Sequence, residues 1–203
     1  MHLEILVEEP SAEEALSLLI PKIVGDKASF AIHSFGDKQT LLREIGSRLK
    51  AYAQWMPADW RIVVLVDRDD DDCQKLKARL ELAAKDASLS TKTVASHKNR
   101  IRVINRIAIE ELEAWFFGDV QALTAAYPKV SLKLIKKAAY RDADAVKGGT
   151  WEALERVLQK EGYFVTGLRK KELARKIAAA MQPELNTSHS FRVFRDAIIQ
   201  VVS

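Results

Sequence analysis

Short apolar runs alternate with helix-periodic segments over the first half of the chain. The predicted strands are 3–7, 29–35, 61–66, 91–97 and 100–109, and the helices predicted between them are 11–23, 37–55 and 71–87. The third strand is apolar from Ile62 to Val66, which is typical of the centre of a parallel sheet. Ser11, with Glu14 three residues later, is predicted to cap the first helix. The alternation predicts an α/β fold with right-handed crossovers.

From residue 110 onward the pattern is helical. The predicted segments are 110–127, with a break near Gly118, and then 131–139, 150–160, 168–181 and 188–202. No strand pattern remains in this part. We therefore predict a mostly parallel α/β domain over residues 1–119 and a helical extension over residues 120–203 that packs on it.

Composition narrows the class of protein. Apolar residues make up 48% of the chain and charged residues 30%, which predicts a folded core. No run of 18 apolar residues indicates a membrane span. The N-terminal residues include acids where a signal peptide has bases, so we expect a cytoplasmic protein. Cys73 is the only cysteine, which excludes an internal disulfide, and the four histidines lack zinc-ligand spacing.

Charge is unevenly distributed along the chain. Residues 1–120 carry a net charge of −3, and residues 121–203 carry +7. An acidic first part and a basic second part suit a metal site beside an anion-binding surface. Basic solvent faces of helices would produce the same imbalance.

Acidic side chains cluster at the ends of apolar strands. The stretch "RIVVLVDRDDDD" places five carboxylates between residues 67 and 72. Other acids follow the first strand or open the helix after the last strand, namely Glu8, Glu9, Glu110, Glu111 and Glu113. Ligands of parallel sheets bind at the carboxyl ends of strands, and Mg²⁺ prefers carboxylate oxygens. If the first and third strands are parallel neighbours, Glu8 and Asp67 emerge at one edge.

Each acidic cluster also has a structural interpretation. Asp70 to Asp72, and the acids at 8–9 and 110–113, would each favour the dipole of a helix that starts there. An EF-hand loop from Asp67 is excluded, because Asp72 stands where that loop needs glycine and Ala78 where it needs glutamate. The sequence also lacks a P-loop and a Gly-x-Gly-x-x-Gly motif.

Four segments together resemble a bacterial Toprim-like family whose function is not established. That family is related to the Toprim domains of overcoming-lysogenization-defect (OLD) nucleases, and is often encoded near AAA or ABC-type ATPases. The segments are VEEPSAEEAL (7–16), VVLVDRDDDDC (63–73), IEELEAWFFGD (109–119) and NTSHSF (186–191). They span most of the chain, so the resemblance implies a Toprim-like sheet flanked by helices.

The resemblance also implies roles for single residues. Glu8 matches the glutamate that is proposed as general acid/base in phosphoryl transfer. The resemblance also implies that Glu8 is one of the metal ligands. Asp67 and Asp69 match the Asp-x-Asp that binds Mg²⁺ or Mn²⁺. Glu111 and Glu113 match an acidic pair that would complete the metal shell.

A cation must also meet the phosphate. We assign it to Arg68 or to Lys171 in the basic run LRKKELARK (168–176), although a solvated helix face is the simpler explanation of that run. A second basic stretch, HKNRIRVINR (97–106), would let one face of a strand follow a nucleic-acid backbone.

Three functions follow from this interpretation. The first is a Mg²⁺-dependent Toprim-type nuclease that acts on nucleic acid, as a phage-defence effector with an ATPase partner. The second is a non-catalytic Toprim-like subunit that binds metal or nucleic acid. Glu9 favours it, since many Toprim proteins have glycine at that position. The third is a small-molecule phosphohydrolase, which a deep closed pocket would favour. A homo-oligomer is left open.

Overall fold

The computed structural model describes residues 1–167 and 169–203, and its centre is a parallel sheet. The four strands are β1 (His2–Val7), β2 (Ser29–Ser34), β3 (Trp60–Asp67) and β4 (Val103–Ala108), in the order β2-β1-β3-β4. All three neighbouring pairs are parallel. Leu65 of β3 pairs with Val7 of β1, and Asp67 pairs with Ala108 of β4.

Helices cover both faces of this sheet. They are α1 (Pro10–Val24), α2 (Lys38–Trp55), α3 (Cys73–Asp86), α4 (Glu113–Phe117), α5 (Val120–Ala126), α6 (Thr150–Lys160), α7 (Lys170–Ala180) and α8 (His189–Val202). Side chains of a strand alternate between faces. Leu6 and Val64 accordingly pack with α2 and α3, whereas Ile5 and Val63 pack with α1 and the later helices. The predicted α/β fold class is confirmed.

The later helices share one apolar core with α1. That core contains residues from both sides of position 119, including Leu16 of α1, Trp115 of α4 and Ile177 of α7. Lys22 of α1 donates to the carbonyl oxygens of Ala178, Ala179 and Met181 at 3.0, 2.7 and 2.9 Å. These carbonyls lie at the C-terminal end of α7, where a helix leaves acceptors unpaired.

The segment NTSHSF fastens the start of α8 to α4. Asn186 donates its side-chain amide to the carbonyl of Trp115 at 2.7 Å and accepts from the amide of Ser188 at 2.9 Å. A Cβ at Gly118 would lie 2.2 Å from the side-chain oxygen of Asn186, so only glycine fits there. Asp144 accepts a hydrogen bond from the Ser188 hydroxyl at 2.8 Å. The segment therefore has a structural role.

Residues 91–97 do not form the predicted strand. Thr91 makes one isolated parallel bridge to Val103, and the amides of Val94 and Ala95 then turn back to the Thr91 carbonyl at 3.2 and 2.9 Å. The side chain of Val94 is 72% exposed. The alternating pattern therefore had no buried face on which a strand would pack.

Residues 131–139 form short 3₁₀ turns, at Leu132–Lys136 and Ala138–Tyr140, where a helix was predicted. Leu134 is buried, but Leu132 and Ile135 are exposed. A longer helix would lack the continuous apolar face that stabilises helices in proteins.

The start of α1 also differs from its prediction. Glu9 is the N-cap residue and Pro10 takes the first helical position, where its fixed φ and missing amide hydrogen are favourable. The Ser11 hydroxyl donates to the Glu9 carboxylate at 3.1 Å and does not cap the helix.

No helix in residues 1–167 or 169–203 has the length and hydrophobicity needed to cross a membrane.

Candidate functional site

The strand order places a topological switch point between β1 and β3. From β1 the chain moves outward to β2, and from β3 it moves outward in the opposite direction to β4. A crevice forms at the carboxyl ends of the two central strands in such sheets. Glu8 follows β1 directly and Asp67 ends β3. Both acids therefore emerge at this crevice, as the sequence predicted for parallel neighbours.

Glu8 and Asp67 form a carboxylate pair in which Glu8 is buried and Asp67 is partly buried. The Asp67 amide donates to Oε1 of Glu8 at 3.1 Å, and Glu8 is only 5% exposed. Oε2 of Glu8 has no hydrogen-bond partner among the residues described. Burial raises the pKa of Glu8 to about 7, although hydrogen bonds from Asp67 oppose the shift. Burial and the Glu8 charge likewise raise the pKa of Asp67 well above its ordinary value.

Glu113 adds a third carboxylate from the end of a third strand. It opens α4 after β4 and is 4% exposed. Burial raises its pKa to about 7, while the charge of Lys170 opposes the shift. Its charge also raises the pKa of Asp67. The charges of Glu8 and Glu113 therefore both act on Asp67.

Two strained loops hold the acids that follow β3 and β4. Asp69 and Glu110 both have left-handed backbone conformations, with φ of 48° and 61°. This conformation costs a non-glycine residue on the order of 1–2 kcal/mol. The Asp69 amide donates to the Glu110 carbonyl at 2.8 Å, and the Arg68 amide donates to the Ala108 carbonyl at 2.9 Å. The left-handed Glu110 is also why the predicted helix 110–127 starts only at Glu113.

Arg68 and Glu111 are both engaged in structural contacts. The Arg68 guanidinium forms an ion pair with the Glu110 carboxylate, which ties the two loops together. Oε2 of Glu111 accepts from the Thr150 hydroxyl at 2.9 Å and from the Trp151 amide at 2.7 Å, at the N-terminus of α6. The predicted roles of Arg68 in phosphate binding and of Glu111 in the metal shell stay predictions.

Two lysines that the sequence analysis did not single out face the acids. Lys38, the first residue of α2, contacts the carboxylates of Asp69 and Asp71 at 3.0 and 2.6 Å. Lys170, the first residue of α7, lies 3.3 Å from the Glu9 carboxylate. Its ammonium group also lies 4.7 Å from the centre of a ring of Trp151.

Lys171, predicted as catalytic, lies elsewhere on α7. It lines a surface cleft between α1 and α7 together with Glu14 and Arg175. The helical period contains the signal that distinguishes the two lysines, since Lys170 precedes the buried Leu173 and Ala174 by three and four positions. The remainder of the predicted run includes Leu168, which lies outside the described residues.

Two arginines of the basic stretch at 97–106 make internal contacts, whereas residues 97–100 are exposed. Arg102 donates to the carbonyls of Met56, Pro57 and Ala58 at distances from 2.6 to 3.1 Å. Arg106 donates to the carbonyl of Val193 at 3.3 Å. These arginines connect β4 to its neighbours and do not form a free basic face.

The donor chemistry at the edge fits a hard divalent cation. Carboxylate oxygens are the ligands that Mg²⁺ takes, and the partnerless Oε2 of Glu8 is an acceptor with no proton donor in the described part of the chain. In residues 1–167 and 169–203, no three metal-ligating side chains already converge as a complete site. A bound ion would therefore need water to complete its shell, which is usual for Mg²⁺.

Comparison with known proteins gives one match. Residues 7–199 match the family described as a domain of unknown function, DUF4276, and the chain belongs to that family. No curated protein matches the chain, and no solved structure does.

Proposed function

We propose that this DUF4276 member is a metal-dependent nuclease of the Toprim type, which hydrolyses phosphodiester bonds in nucleic acid. The observation that supports it is the pair of buried Glu8 and partly buried Asp67 at the switch point, with Oε2 of Glu8 lacking a partner in the described ranges. Two adjacent carboxylates that are shielded from water are stabilised by a shared proton or by a cation. Mg²⁺ or Mn²⁺ is the cation whose ligand preference fits them.

In this proposal, separate residues bind the metal ion and transfer the proton. Glu8 and Asp67 would hold the ion, and Asp69 lies two residues along the loop as a further oxygen donor. A bound divalent ion supplies charge stabilisation to the phosphoryl oxygens and lowers the pKa of a bound water. Glu113, with a pKa raised by burial to about 7, can accept or release a proton near neutral pH.

Positive charge for the phosphate comes from Lys170 and from helix ends. Lys170 is brought to the acids by the packing of α7 on α1, and nearby acids raise its pKa against the effect of burial, so it stays charged. The helices α1, α2 and α3 each begin after the carboxyl end of a strand, so their N-termini face the same edge. Helix N-termini favour anions such as phosphate.

The wider setting rests on the resemblance to Toprim-like proteins. It comprises a phage-defence role and an AAA or ABC-type ATPase partner. A cytoplasmic location is proposed from the N-terminal sequence alone, and a homo-oligomer is left open. Pull-down of the chain with a purified AAA or ABC-type ATPase tests the partner.

The decisive experiment compares substitutions in one acidic loop. We expect the wild-type chain to bind Mn²⁺ by calorimetry and to cleave DNA or RNA from a mixed set of single- and double-stranded substrates. Asp67→Asn should abolish both. Asp70→Asn removes one negative charge from an exposed position in the same loop and should preserve both. The proposal fails if the wild type binds no Mn²⁺ even with an oligonucleotide present.

A second candidate is a non-catalytic subunit that binds metal and nucleic acid. Glu9 favours it, because its carboxylate lies 3.3 Å from Lys170 and neutralises the cation that would meet a phosphate. Binding of Mn²⁺ and oligonucleotide without cleavage of any substrate would identify this function.

A further inference from the structure

Lys38 lies in a cage of oxygen atoms at the acidic edge. Its ammonium nitrogen is 2.9 Å from the carbonyl oxygen of Arg68, 3.0 Å from Oδ2 of Asp69 and 2.6 Å from Oδ2 of Asp71. Two carboxylates and a main-chain carbonyl are the oxygen donors that a hard divalent cation takes from a protein loop. The ammonium group therefore occupies a position with the chemistry of a metal site.

This lysine is held there as a charged group. Its side chain is 15% exposed. Burial lowers its pKa, but hydrogen bonds and charge from Asp71 and Asp69 outweigh that effect, and the pKa is raised overall. A buried ammonium is tolerated where such partners surround it. Lys38 thus brings a permanent positive charge to a loop that contains five acids.

The neighbouring acids have no comparable occupant. Oε2 of Glu8 is partnerless among the residues described, although Lys38 is near enough for its charge to act on Glu8. The edge therefore has two adjacent groups of acids. One is filled by the ammonium of Lys38, and the other, at Glu8 and Asp67, is short of positive charge.

We propose that Lys38 is a built-in cation that fills the second cation position of this edge, so that the site takes up a single divalent ion, at Glu8 and Asp67. The inference rests on the proposed metal-dependent function and specifies it further. A second ion at Asp69 and Asp71 would have to displace the ammonium group, which competes for the same oxygens. Lys38 is then a positioning residue that fixes Asp69 and sets the number of ions.

The test counts bound ions and does not need activity. Mn²⁺ is titrated into the full chain at pH 8, with free Mn²⁺ followed by electron paramagnetic resonance and binding by calorimetry. We expect one ion for the wild type and for Lys38→Arg, and two ions for Lys38→Met. Lys50→Met, an exposed lysine of the same helix, is the matched control and should keep one ion. Circular dichroism at the same pH establishes that each variant is folded.

A second variant tests the cage without removing the lysine. Asp71→Asn should leave the wild-type count at one and change the affinity by less than about threefold, because Asp71 serves the ammonium and not the ion. Two ions in the wild type, equal numbers of ions in the wild type and in folded Lys38→Met, or a Mn²⁺ affinity of Asp71→Asn that is threefold or more weaker would each overturn the inference.

The outcomes also separate this inference from the nuclease proposal. If the wild type binds no Mn²⁺ while Lys38→Met binds one, Lys38 occupies a cation position but the metal-dependent function is wrong. If neither binds Mn²⁺, both are wrong. If the wild type binds two ions and cleaves nucleic acid, only the role of Lys38 is wrong.

Discussion

Replacing Glu113 by glutamine should make the metal-free protein less sensitive to pH. The carboxyl group of Glu113 is 4% exposed, and burial raises its pKa from 4.5 to about 7. The folded chain therefore binds more protons than the unfolded chain between these two values. The free energy of unfolding must then fall as pH rises through this window, and the loss is complete above the folded pKa.

The expected magnitude follows from the size of the shift. A shift of one pKa unit corresponds to 1.36 kcal/mol, so ionising Glu113 in the folded state costs about 3 kcal/mol. Glu113→Gln removes this cost and keeps the shape of the side chain. In EDTA, the variant should gain about 2–3 kcal/mol over the wild type between pH 5 and pH 8, or roughly 4–12 °C in Tm.

The assay is urea unfolding of both proteins at several pH values, with EDTA present throughout. Asp70→Asn provides the control, because Asp70 is exposed and its substitution should give a nearly constant difference from the wild type. A Glu113→Gln difference that changes by less than about 0.5 kcal/mol between pH 5 and pH 8 would refute the reasoning. Glu113 would then be solvated or paired in solution.

Three further predictions test the packing and the cation. Gly118→Ala should cost about 1–3 kcal/mol in urea unfolding, since its Cβ would lie 2.2 Å from the nearest atom, whereas Gly46→Ala has open space and should gain about 0.5–1 kcal/mol. Asp144→Ala should cost about 1–3 kcal/mol in the same assay, because it frees the hydroxyl groups that Asp144 binds at the start of α8. Lys170→Ala should lower cleavage on the order of 100-fold, whereas Lys171→Ala should change it less than about threefold; equal effects would contradict the assignment of Lys170.

The position of β3 inside the sheet could be predicted from its sequence, Ile62 to Val66. A fully apolar run between two amphipathic helices indicates an inner parallel strand, and that position sends its last residue to the carboxyl edge. The same reasoning applies to Glu8 at the end of β1. Their proximity was therefore predictable from local pattern and one rule of sheet topology. The predicted roles of these acids remain to be measured.

Contacts between distant segments explain the remaining differences. The sequence gives no sign that Oε2 of Glu111 accepts hydrogen bonds from Thr150 and Trp151, because these residues of α6 lie 39 and 40 positions later in the chain. Residues 91–97 alternate between apolar and polar side chains as a strand does. After one bridge between Thr91 and Val103, however, the backbone turns, and the rest of the segment does not pair with β4. Lys170 was distinguishable from Lys171 only by combining the helical period with the knowledge that α7 packs on α1.

The separation of Lys170 and Glu9 along the chain determines when the acidic edge acquires its lysine during synthesis. The two residues are 161 positions apart, so a nascent chain leaves the ribosome with its acids long before the lysine that faces them. Until α7 has been translated and has docked on α1, the acidic edge lacks this cation. A shortened polypeptide that ends before α7 would contain the carboxylates without it, so the site is complete only after α7 has been made and packed.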